Sequence, residues 1–196
     1  YFTEFWPSDN TDPIERLFIQ WGFSQVFPAK TMCAHVTTWN KNSSVKFRTD
    51  VAMMCKLGFD IKLADMSKDD ETYCRTAVQN YNRLKPVVLE GDMYRLVSPY
   101  GSNHTSTMYV GKDKDKAVVF AFDIHPRYAE KTLPVRLQGL DADKMYRVKE
   151  INLMPGANSS LSGNGEVFSG EFLMNVGLNL FTTQQLNSRV IEVVAE

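Results

Sequence analysis

Two regimes of hydrophobic patterning divide the chain. Through about residue 90, short apolar runs alternate with stretches whose apolar residues recur three and four positions apart, the pattern of βα units with parallel strands. After Gly91 the period falls to two, and turn-like segments such as Lys112-Asp113-Lys114-Asp115 separate the apolar runs. Residues 1–90 therefore read as α/β and residues 91–196 as an all-β, antiparallel sandwich.

The helix signals in the first part are explicit. Asp12 suits an N-cap, Pro13 the first helical position, and Glu15 the capping-box spacing. Ile14, Leu17, Phe18 and Trp21 then form one apolar stripe, and Gly22 suits the helix end. A second helix is predicted over 45–57, burying Phe47, Val51, Met54 and Cys55 and ending at Gly58. A third starts at Ser67, buries Tyr73, Ala77, Tyr81 and Leu84, and stops at Pro86. Met32–Val36 and Phe59–Leu63 have the length of strands. The opening residues before Asp9 make a further short apolar run, so Asp9 falls at the C-terminal end of a strand, where β/α barrels carry their chemistry.

In the second part, strands are predicted at 93–97, 107–110, 117–124, 133–137, 146–151, 171–176 and 189–194. The Gly-, Asn- and Ser-rich stretch 155–170 reads as a long loop.

Composition narrows the partners. The net charge of −1, from 22 basic and 23 acidic residues, gives no electrostatic basis for binding nucleic acid or an anionic membrane. No apolar run approaches the roughly 20 residues of a membrane span. Cys33, Cys55 and Cys74 form neither an even disulfide framework nor a C-x-x-C pair, and they read as small buried residues, the first on a strand and the others on helices. His35, His104 and His125 have no metal-ligand spacing with the cysteines or with one another, so no structural zinc site is expected.

The run Ser8-Asp9-Asn10-Thr11-Asp12 followed by Glu15-Arg16, together with Gln20, Gly22, Pro28 and Ala34-His35-Val36, resembles the glycoside hydrolase family 36 α-galactosidases. The resemblance covers nearly the whole chain. It implies the last three βα units of a (β/α)8 (TIM) barrel in residues 1–90, followed by a C-terminal antiparallel β-sandwich in 91–196. Three departures accompany it: Pro7 stands where the family more often has Thr, the loop holding Trp39 and Asn40 is shorter, and the strand at Gly58-Phe59-Asp60 has altered acidic positions. Arg48 and Asp50 match a family pattern of structural ion pairing.

By the same resemblance Asp9 is the general acid/base of a retaining α-galactosidase. Position alone would make Asp9 a cap or turn carboxylate. Such an acid/base must be protonated to release the leaving sugar and ionised to activate water; partial burial beside Trp6 would move it toward that range. Asp12 is read as a helix cap. Ser8 and Asn10 are read either as turn builders or as ligands of sugar hydroxyls, Trp6 as a pocket wall or a core residue, and His35 as a pocket-side or core residue. The family's nucleophile lies in an upstream Lys-Trp-Asp motif that does not occur here, and the resemblance implies neither a metal nor an organic cofactor. The implied partners are a galactose-containing oligosaccharide and the upstream part of the same enzyme; self-association and compartment stay open. This chain alone is expected to be inactive. The alternatives are a non-catalytic carbohydrate-binding or oligomerisation module, signalled by a row of exposed aromatics, and a related α-N-acetylgalactosaminidase or transglycosylase.

Overall fold

The computed structural model describes residues 3–10, 12–37 and 42–196. Thr11, Trp39 and Asn40 lie outside the described residues.

The first part follows a βα rhythm. Phe5 makes an isolated parallel bridge to Met32, closed by Phe5 N–H to the Thr31 carbonyl at 2.8 Å and Cys33 N–H to the Phe5 carbonyl at 3.0 Å. Helix α1 (Pro13–Phe23) returns the chain to β1 (Cys33–Thr37). Helix α2 (Val45–Ala52) leads to β2 (Lys56–Asp60), which pairs with β1 in parallel, and α3 (Lys68–Glu90) follows. Phe5, β1 and β2 thus run side by side in one direction, and their C-terminal ends share one edge.

Several local expectations need correction. Helix α2 ends at Ala52 instead of continuing to Leu57, so Cys55 sits in the connecting turn and Gly58 lies inside β2. Pro86 does not stop α3, which continues to Glu90. The inward face of α1 is Pro13, Arg16, Leu17 and Gln20, whereas Ile14, Phe18 and Trp21 are only half-buried. Two polar side chains therefore occupy the core side of a helix whose apolar stripe predicted otherwise. Asp50 is ion-paired, with Lys46, while Arg48 donates to the Thr37 carbonyl.

The second part is a six-stranded antiparallel sheet made of β3 (Asp92–Val97), β4 (His104–Val110), β5 (Lys116–Asp123), β6 (Met145–Ile151), β7 (Val167–Ser169) and β8 (Asn187–Ala195). Their spatial order is β3-β4-β5-β8-β6-β7. Alternation sorts the side chains by face. Tyr109, Val118, Phe120, Phe122 and Val190 join Phe47, Val51, Tyr73 and Leu84 of α2 and α3 in one core. Met108, Val119, Ala121, Ile191 and Val193 face Val135, Leu137, Leu161, Leu173, Leu178 and Leu180 in a second core.

That second layer is mostly irregular chain. The predicted strand 133–137 reduces to an isolated Val135–Leu178 bridge. The predicted strand 171–176 is instead a short helix, α4 (Gly170–Asn175), because the Ser169 hydroxyl accepts from Phe172 N–H and caps it. The loop predicted over 155–170 contains β7 at its end. Tyr109, Phe120, Phe122 and Tyr146 are buried while Tyr100 and Tyr128 are exposed, so these residues form no exposed aromatic row.

Candidate active site

The chain emerging from the Phe5 bridge turns at once into α1, and the turn is built by side chains. Ser8 Oγ accepts from Asn10 N–H at 3.0 Å, Asn10 Oδ1 accepts from Asp12 N–H at 2.9 Å, and Asp12 Oδ1 accepts from Ile14 and Glu15 N–H at 3.0 and 3.1 Å. Each is a local side-chain-to-backbone bond of the kind that makes Asx and Ser turns and helix caps. Asp12 is thus the N-cap. The Asp9 carboxylate takes no part in the relay. It is exposed, without a hydrogen bond or ion pair to any described residue, at the edge where the parallel strands end. The partial burial expected beside Trp6 is not supplied by this chain.

Trp6 and His35 come together. Their rings lie 3.8 Å apart between centroids, and 48% of Trp6 is exposed. Thus Trp6, three residues before Asp9, offers an indole surface to solvent, backed by the imidazole. Ser8 is half-buried and Asn10 exposed, so both stay close to Asp9 in the chain while their oxygen atoms hold backbone.

The residue that sequence reasoning passed over is Arg16. Its Nη2 donates to the Ser8 carbonyl at 2.6 Å and lies 3.5 Å from His35 Nδ1, and its Cζ is 6.0 Å from the Trp6 ring centroid. Burial lowers its pKa, and the charge of Asp9 works in the opposite direction. His35 is also shifted below the usual imidazole value, first by burial and then by the Arg16 charge, with Asp60 and Asp9 opposing. His35 is therefore neutral near pH 7. Because a guanidinium only donates, the Nδ1 facing it is the acceptor nitrogen and the ring proton belongs on Nε2. The one sequence signal for Arg16 was its place in the Glu15-Arg16 pair of the opening motif.

Among the described residues no cluster of His, Cys, Asp or Glu is arranged to hold a metal, and no helix is long and apolar enough to cross a membrane.

The comparison with known proteins bears on both halves. A melibiase family model matches residues 1–91, and the model of the glycosyl hydrolase family 36 C-terminal domain matches residues 104–193. The chain belongs to glycoside hydrolase family 36. Within that family it is 34% identical over 197 residues to alpha-galactosidase 2 of Hypocrea jecorina, covering 97% of this chain and 24% of that enzyme. Against alpha-galactosidase 1 of Pediococcus pentosaceus it is 30% identical over 182 residues, covering 90% of this chain and 23% of that enzyme. The crystal structure of the family 36 α-galactosidase AgaB from Geobacillus stearothermophilus matches with a TM-score of 0.84 at 28% identity, over 97% of this chain and 25% of that one. A variant of AgaA from the same organism, solved with raffinose, matches with a TM-score of 0.83 at 27% identity, over 96% of this chain and 25% of that one. The family 36 chain described here thus spans about a quarter of the length of the curated relatives it matches. Its architecture is that of these enzymes: a segment of TIM barrel followed by the C-terminal β domain.

Proposed function

We propose that this chain carries the acid/base half of a retaining α-galactosidase site, with Asp9 as the acid/base. The observation that carries the reading is the division of labour in the opening turn. Ser8, Asn10 and Asp12 all have a side-chain oxygen engaged by backbone N–H, and Asp9 alone among these four keeps a free carboxylate at the strand ends. In the first step the protonated carboxyl of Asp9 gives its proton to the glycosidic oxygen as the bond to the anomeric carbon breaks. In the second step the Asp9 carboxylate takes a proton from the water that attacks the same carbon. The nucleophile that holds the sugar between these steps comes from outside this chain.

The exposed indole of Trp6, steadied by His35, suits the apolar face of a galactosyl ring. The hydroxyl proton of Ser8 and the amide N–H groups of Asn10 remain to donate to sugar hydroxyls. The substrates are terminal α-galactosides of oligosaccharides, supported by the α-galactosidase relatives and by the raffinose bound to the AgaA variant.

The test is hydrolysis of a nitrophenyl α-galactoside by this chain and by a longer enzyme that contains it, each with and without Asp9→Ala. Activity in the longer enzyme only, lost in Asp9→Ala and partly returned by azide, is the expected result. Cleavage by the chain alone, or an unaffected Asp9→Ala enzyme, would overturn the assignment.

A further inference from the structure

We infer that Arg16 is the positioning residue of the Asp9 site, a buried cation that fixes the acid/base turn through the Ser8 carbonyl and fixes the Trp6 wall through His35. The inference rests on the role proposed for Asp9 and adds to it the device that holds that carboxylate in place.

Three observations converge. Arg16 is only 3% exposed, on the inward face of α1, where the periodicity of the helix calls for an apolar residue. One of its nitrogens, Nη2, reaches both halves of the candidate site: the carbonyl of the residue immediately before Asp9, and the ring that lies against Trp6. Its Nε and Nη1 are buried without hydrogen-bond partners, and it forms no ion pair with any described carboxylate. A guanidinium buried in this way is a poor device for stability, since desolvation is not repaid by a close opposite charge. Its placement has a reason at the site, where a fixed donor under the Ser8 carbonyl holds the backbone that presents Asp9, and the same donor facing His35 Nδ1 orients the ring that lies against Trp6, its charge adding to the effect of burial on that imidazole.

A misplaced acid/base has a chemical signature that general damage lacks. A nitrophenolate leaves without help from an acid, whereas the sugar leaving group of raffinose needs a proton. Azide attacks a glycosyl-enzyme without needing a base. In a longer enzyme containing this chain, Arg16→Met should lower kcat/KM for raffinose about 100-fold and for the nitrophenyl substrate by less than about 10-fold, a loss of the size general acid catalysis supplies. Azide should raise turnover of the nitrophenyl substrate by this variant and yield the galactosyl azide. Arg16→Lys, which keeps the charge but not the planar fork, should recover part of the raffinose rate.

A second readout uses the chain described here. His35 faces Arg16 from α1, Asp60 from β2 and Asp9 from the turn. Removing the Arg16 charge should raise the midpoint of the His35 titration, followed by nitrogen NMR of the ring, and release the Nε2–H tautomer. Equal losses on both substrates without an azide effect, or a His35 spectrum that ignores Arg16→Met, would overturn the inference. An Asp9→Ala enzyme lacking the leaving-group and azide signature would instead overturn the role of Asp9 itself, so the two failures are distinguishable.

Discussion

The Ser188 hydroxyl donates to Asp50 Oδ2 at 2.7 Å, joining residues 138 positions apart. The same fully buried carboxylate accepts from Lys46 Nζ at 2.5 Å, Tyr73 Oη at 2.8 Å and Asn152 Nδ2 at 2.5 Å, so α2, α3, β8 and the segment after β6 meet on one group. Lys46 also reaches the Ser188 carbonyl at 2.8 Å. Removing one member of such a cluster leaves a charge and several dipoles unpaired. Asp50→Ala is expected to cost about 3 to 5 kcal/mol, the range for breaking a buried pair. Urea unfolding of the two chains, compared at equal slope, measures it.

Asp9 and Asp12 stand three positions apart and should behave in opposite ways. Asp12→Ala removes the acceptor for Ile14 and Glu15 N–H and should cost about 1 kcal/mol, the usual loss of a helix cap. Asp9→Ala touches no hydrogen bond within the described residues and should change stability by less than about 0.5 kcal/mol. Thermal melts of both variants decide this without reference to activity, and a large loss for Asp9→Ala would mean that its carboxylate supports the turn.

Burial also sets an alkaline limit. The Cys55 thiol is pushed from 9.0 up to about 12, chiefly by its burial, and the phenols of Tyr73 and Tyr109 lie well above their ordinary value for the same reason. For an acid whose folded pKa is raised, the unfolded chain loses its proton first. The Cys55 contribution is therefore complete below pH 9 and declines as pH rises from 9 toward about 12. Unfolding midpoints should fall over this interval, and Cys55→Ala should make the decline shallower. An identical slope in that variant would count against Cys55 as a source.

Gly177 has a φ of +89°, and a Cβ there would run into the Val135 carbonyl. The close approach is what allows Leu178 and Val135 to form their bridge over the second core. Gly177→Ala combines backbone strain with a clash and should cost about 1 to 3 kcal/mol. Denaturant titration gives the value, and a neutral result would show that the loop relaxes freely.

Legibility in the sequence depended on whether a residue's role was local. Asp12-Pro13 announces α1 because a cap acts on its own helix, and Ser67 announces α3 in the same way through Asp70 N–H. Ala34-His35-Val36 reads as strand because alternation is local too. Glu171 to Val176 is ambiguous because six residues with mixed periodicity fit either element, and the deciding bond, from Phe172 N–H to the Ser169 hydroxyl, depends on a residue just before them. Pro86 looked like a stop, but α3 is packed against β3, β4 and β5 and continues through it. Arg16 was least legible. Its partners, Ser8 and His35, lie 8 and 19 positions away, and nothing in a helical period marks a cation as facing inward.

The relay from Ser8 to Asp12 also bears on how this opening segment tolerates change. At positions 8, 10 and 12 the backbone asks only for a short side chain bearing an acceptor, so exchanges among Ser, Thr, Asn and Asp leave the route of the chain intact. At position 9 no backbone group asks for anything. A library that keeps 8, 10 and 12 as they are while randomising 9 would hold the scaffold constant and vary only the group at that one position, giving a family of turns with one shape and many reactivities.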